Sequence, residues 1–169
     1  MTTLREVFSF PNPVNEIAAR AVAAGAAIMA AVTIVFDLKW MTIVIAYGFV
    51  ARLASGPTLS PLGQIATRVV APRLPSRKKL VAGPPKRFAQ GIGATLSVTA
   101  AILAVGLGLT TAAYVLLGLL FAAAFLESVF ALCLGCKIFA LLMRIGIVPE
   151  EVCEECNNIW LRLPQPTQN

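Results

Sequence analysis

Residues 110–136 read TTAAYVLLGLLFAAAFLESVFALCLGC, and Glu127 is the one charged side chain among them. A run of this length and hydropathy is too apolar to face water. Eighteen or more such residues in a row are the mark of a helix that crosses a bilayer. The apolar run continues to about Leu142. As one helix, Thr110–Leu142 would reach roughly 45–50 Å, against a hydrocarbon thickness of about 30 Å. It is therefore expected to project beyond the bilayer or to bend, with Cys133-Leu-Gly-Cys136 in the projecting part.

Three more apolar stretches lie upstream. The spans are expected at about 18–36, 40–54, 88–109 and 110–132, with a basic loop over 55–87. The second is short, and Arg52 near its end is expected to snorkel to a headgroup. The third carries Gly91, Gly93, Gly106 and Gly108, small residues that let helix backbones approach closely in lipid. The predicted fold is all-α: an integral membrane four-helix bundle made of two helical hairpins, followed over 143–169 by a short cytoplasmic C-terminal helical segment carrying Cys153 and Cys156.

Composition agrees with lipid as the solvent: 58% of the residues are hydrophobic and 13% charged, with mean hydropathy +0.81. A soluble domain has roughly 45–50% and 25%. The net charge of +6 raises the question of nucleic acid, but the cations sit in loops between apolar runs with few aromatics among them. Basic loops in that setting set topology and meet lipid headgroups. Arg68, Arg73, Arg77, Lys78, Lys79, Lys86 and Arg87 are the candidates, and acidic residues are absent from that loop. Four spans put these cations, both termini and the tail on one side, leaving Lys39 on the other. The positive-inside rule makes the populated side cytoplasmic, which predicts a bacterial cytoplasmic-membrane protein with N and C termini inside. The N-terminal MTTLREVFSFPNP has neither a basic n-region nor a small-residue cleavage site, so no cleavable signal peptide is expected.

The chain has no histidine. Histidine-ligated haem, His-containing zinc sites and Ser-His or Cys-His catalysis are thereby excluded within it. Four cysteines remain as the chemistry-bearing set. Cys133 and Cys136 are followed, after sixteen residues, by Cys153 and Cys156, a C-x2-C-x16-C-x2-C spacing within the range of four-cysteine metal sites. Thiolates at i and i+3 share a helix face, and a turn at Gly146 and Pro149 can bring the second pair back. One zinc or iron ion per chain is the leading expectation, in an accessory component of a larger membrane assembly that contacts lipids and other subunits. A thiol–disulfide relay between the pairs is the alternative. Glu150, Glu151, Glu154 and Glu155 around the second pair disfavour its thiolates, whereas Lys137 beside Cys136 favours the first as nucleophile.

Glu127 is an intramembrane acidic residue and so a functional candidate; the plainer alternative is a structural pair with Arg52 or Lys137. Ser128 beside it has no base partner.

The lead-in Gly83-Pro-Pro-Lys-Arg-Phe-Ala-Gln-Gly-Ile-Gly93, followed by a helix ending in Cys133-Leu-Gly-Cys136, resembles a bacterial, actinobacterial-type multi-pass membrane family known as a domain of unknown function. The likeness covers about Pro11 to Trp160. It implies thiol or sulfur chemistry beside a thioredoxin-like or sulfurtransferase protein, and it assigns no catalytic roles.

Overall fold

The structure, a computed structural model, describes residues 14–73 and 80–149. Asn15 opens the first helix: its side chain accepts hydrogen bonds from the backbone N–H groups of Ile17 and Ala18 at 2.9 and 3.4 Å. These are two of the four donors that a helix start leaves unsatisfied. Val14–Asn15 also forms a short strand, β1, paired antiparallel with β2, Leu80–Val81, so that Val14 faces Val81 and Asn15 faces Leu80. The lead-ins to the first and third apolar helices are thus tied together.

The long helices are α1 (Glu16–Val35), α2 (Met41–Ser55), α5 (Gly83–Ala101) and α6 (Thr110–Phe130). The helix α5 runs on through a π-helical turn, Ile102–Gly106. Among the described residues, Glu16–Val35, Gly83–Gly106 and Thr110–Phe130 are long and apolar enough to cross a membrane; α2, with 15 residues, is shorter. The third helix begins five residues before the apolar run does. Pro84 and Pro85 stand in its first turn, where a missing N–H costs nothing.

The most extensive contacts join α1 to α6 and α2 to α5, with α5 also against α6. Their shared core is made largely of alanine (Ala26, Ala27, Ala94, Ala100, Ala104, Ala113, Ala124) around Ile45, Phe49 and Leu117. Small residues at the centre let helices approach where no hydrophobic drive separates lipid from protein. The bulky side chains point outward instead: Val115, Leu119, Ile102 and Phe130 are all exposed. Thr33, Ser55 and Ser97 are fully buried and donate back to the carbonyls of Met29, Ala51 and Gly93, which satisfies them within their own helices.

The middle of the basic loop, where apolar residues recur at helical spacing, is helical: α3 (Pro61–Ile65), a π-helical turn (Ala66–Val70) and α4 (Ala71–Arg73). This stretch packs on α1 through Leu62 over Gly25 and Ala66 against Ala18 and Val22. The fourth apolar run, expected to project or to bend, is not one helix to Leu142. It stops at Phe130; Ala131 turns left-handed (φ 56°), and a separate helix α7 runs from Leu134 to Arg144.

Candidate functional site

Cys133 and Cys136 lie just past that break, and the break is built from several contacts. The N–H groups of Ala131 and Leu132 both reach back to the Leu126 carbonyl, closing the last turn of α6 in the manner of a left-handed cap. Arg20 of α1 covers two further carbonyls of that end: its Nε donates to Ser128 O at 3.0 Å and its Nη2 to Val129 O at 3.1 Å. A cation here also complements the negative end of the α6 dipole.

After the turn, Cys133 becomes the N-cap of α7. Its Sγ accepts the Cys136 N–H at 3.3 Å. The two sulfurs are joined as a disulfide, with Cα atoms 5.2 Å apart, within the range such a bond demands. This corrects the expectation of two thiolates side by side on one helix face: Cys133 is the cap, and Cys136 lies in the first turn. Cys133 is buried and Cys136 half-buried. Gly135 between them rests on the backbone of α5. A Cβ there would lie 2.6 Å from Ala89 Cβ and 2.7 Å from Ala89 Cα. Phe139, one turn on, packs against Phe88 with ring centroids 5.6 Å apart.

One turn of α5 below Ala89 stands a charged cluster. Lys86 is ion-paired with Glu127 of α6. Gln90, next on the same face of α5, accepts from Arg52 Nε of α2 at 3.2 Å; Arg52 Nη1 donates to Ser60 Oγ at 3.1 Å, and the guanidinium lies over the Phe49 ring. The Glu127 carboxylate is also close enough to act on Arg52 electrostatically. Two expectations are corrected. Arg52 is 4% exposed and does not snorkel to a headgroup. It turns inward because helical side chains lean toward the N-terminus, and Gly48 one turn back leaves room beside the guanidinium. Lys86, expected in a headgroup-binding loop, is a buried helical residue and the partner of Glu127, in place of Arg52 or Lys137.

Of the other basic candidates, Arg68, Arg73 and Arg87 are exposed, while Arg77, Lys78 and Lys79 lie outside the described residues, as do Cys153 and Cys156. Among the described residues no group of three or more Cys, Asp, Glu or His could hold a metal ion. A four-cysteine ion site needs both pairs reduced and brought together, and the closed first disulfide offers no thiolate. Arg20 and Gln90 escaped the sequence reading, and Gly135 entered it only as part of the Cys133-Leu-Gly-Cys136 motif, without its contact with Ala89. Arg20 and Gln90 look like the polar ends of apolar helices, and their partners are distant in sequence; the spacing of CxxC says nothing of what the two residues between the cysteines touch.

A family model described as "Domain of unknown function (DUF4395)" matches residues 14–144, and the chain belongs to that family. No curated protein and no solved structure matches it.

Proposed function

We propose that this member of the DUF4395 family is a four-helix membrane protein that exchanges disulfides through Cys133 and Cys136. The observation that carries the proposal is the pairing of these two cysteines at the N-terminus of α7. A helix N-terminus, with its free N–H groups and positive dipole end, favours a thiolate over a thiol. In the reduced state the Cys136 N–H is the group that would stabilise a Cys133 thiolate.

Unequal burial assigns the roles. A partner's thiolate attacks Cys136 Sγ, the more exposed sulfur. The S–S bond breaks, its electron pair leaves on Cys133 Sγ, and the partner is joined to Cys136. The better-stabilised thiolate is the better leaving group. The partner's second thiol then attacks the mixed disulfide, releasing Cys136 and carrying away the new disulfide. Two electrons and two protons have moved from the partner's dithiol to this pair. The reverse reaction regenerates the disulfide, with Cys133 as the attacking thiolate. The partner is a thioredoxin-like or sulfurtransferase protein, or the chain's own Cys153 and Cys156. In this proposal α2 crosses with the other three helices, and both termini lie on the cytoplasmic side, where the chain's cations are concentrated.

Cys133→Ser is the test, made in membranes and again with Cys153 and Cys156 replaced by serine. It should trap a mixed disulfide at Cys136 that a reductant releases, whereas Cys136→Ser should trap far less. Purified wild type carrying about one zinc or iron per chain, lost when either Cys133 or Cys153 becomes serine, would establish the four-cysteine metal centre instead.

A further inference from the structure

The helix α7 has a face that nothing else in the described structure covers. Leu134, Ile138, Leu141 and Ile145 are between 42% and 58% exposed. At about 100° per residue the four fall within an arc of about 60°. Lys137 and Arg144, both exposed, lie within about 20° of each other on one flank of that stripe. The opposite side carries Phe139, 6% exposed, and Gly135 against Ala89.

We infer that α7 is an interfacial helix: its Leu134–Ile138–Leu141–Ile145 stripe lies in the lipid of one leaflet, with Lys137 and Arg144 among anionic headgroups. Three observations select lipid as the occupant. Only residues 131–133 separate α7 from α6, so its start lies within about 14 Å of that helix's end. The apolar surface is continuous across the junction, because Val129, Phe130 and Leu132 are exposed as well. Finally, the stripe is bordered by cations, and α7 contains no acidic residue.

With 11 residues, or about 16 Å, α7 is too short to span a bilayer. It is strongly two-faced, as helices lying in the headgroup boundary are. Its contacts with Ala89 and Phe88 hold it near the start of α5, level with Lys86 and Arg87. The membrane surface is therefore the support on which the Cys133–Cys136 disulfide is presented. This placement goes beyond the exchange proposal and does not depend on it: the cysteines need not turn over for α7 to lie in lipid.

The test uses the full chain in vesicles of phosphatidylcholine, with and without phosphatidylglycerol, after replacing Trp40 and Trp160 by phenylalanine. Leu141→Trp and Lys137→Trp each supply a single fluorophore. Leu141→Trp should lose more emission to lipids brominated near the headgroup than to lipids brominated at the bilayer centre. It should lose little to aqueous iodide, which should quench Lys137→Trp more strongly. Ile145→Trp provides a second position on the stripe if Leu141→Trp melts differently from its parent. Equal quenching of Leu141→Trp and Lys137→Trp by iodide would overturn the inference. So would a stripe shielded from both iodide and bromine, as burial under the chain's own tail, a second copy or a protein partner would produce. Neither result would bear on whether Cys133→Ser traps a mixed disulfide.

Discussion

Removing Glu127 should harm this protein more than removing its partner Lys86. The cluster holds two cations, Arg52 and Lys86, and one anion, Glu127. Lys86 and Glu127 keep 11% and 19% of their side-chain surface exposed, and Arg52 is 4% exposed. Taking away one member of a buried pair costs about 3–5 kcal/mol, because the remaining charge is stranded. Glu127→Gln strands two charges, and they repel: near contact, an effective dielectric of about 20 makes the loss of one opposite charge worth about 4 kcal/mol. Lys86→Met leaves Glu127 with Arg52 as a neutralising neighbour, so a loss of about 1–2 kcal/mol is expected, at the low end of what a broken charged hydrogen bond costs. The double variant Lys86→Met/Glu127→Gln should be more stable than Glu127→Gln alone, since it removes one of the two stranded cations. Reversible unfolding in mixed detergent–SDS micelles, followed by far-UV circular dichroism, measures all three against wild type. The charge accounting is refuted if Lys86→Met is as destabilised as Glu127→Gln, or if the double variant is the least stable of the set.

Gly135→Ala places a methyl group 2.6 Å from Ala89 Cβ. The overpacking, about 1–3 kcal/mol, should exceed the helix-propensity gain of at most about 1 kcal/mol. Lower melting and faster reduction of the Cys133–Cys136 disulfide by a membrane-permeant phosphine are the expected signs, and unchanged values for both would show that α7 can shift without cost. Arg20→Gln removes a cation from two carbonyls at the end of α6 and should cost about 1–2 kcal/mol. Arg20→Lys should recover only part of this, because an ammonium cannot hold the two bonds as a planar fork does; full recovery by lysine would reduce the role of Arg20 to charge alone.

The helices long and apolar enough to cross a membrane were legible because hydropathy is a local property, summed along the chain. Their ends were less so. The third helix starts at Gly83 because Pro84 and Pro85, which resemble loop residues, also suit a first helical turn, and the Lys86 charge, unfavourable at a helix start, is offset by Glu127. That the fourth run must bend or project was legible from its length, but the left-handed turn at Ala131 that makes the bend was not. A left-handed residue is normally announced by glycine or asparagine, and alanine gives no such signal. That break turns one over-long helix into a span and a separate α7, so the position of the cysteines depended on a feature the local sequence does not display. Glu127 stood out in the sequence as an unusual charge, while its partner was hidden: Lys86 lies 41 residues away in what reads as a basic loop. Cys153 and Cys156 lie outside the described residues, so the metal expectation, which needs all four cysteines, stands where the spacing left it.

The left-handed alanine has a physical consequence for the site. Such a residue costs about 1–2 kcal/mol over its ordinary conformation, so it persists only where its surroundings favour it. Here they do so from both sides. Arg20 and the Leu126 carbonyl close the helix before it, and the Cys133 cap and the Gly135–Ala89 contact begin the helix after it. Each of these would be lost if α6 continued straight on, because Cys133 and Gly135 would then project past the end of α5 with no partner for either. The same contacts that make the kink favourable therefore also fix the disulfide at the head of α7. Arg20, the Leu126 carbonyl and Ala89 make these contacts through groups other than the two sulfurs, so the frame of the kink does not itself rest on the S–S bond.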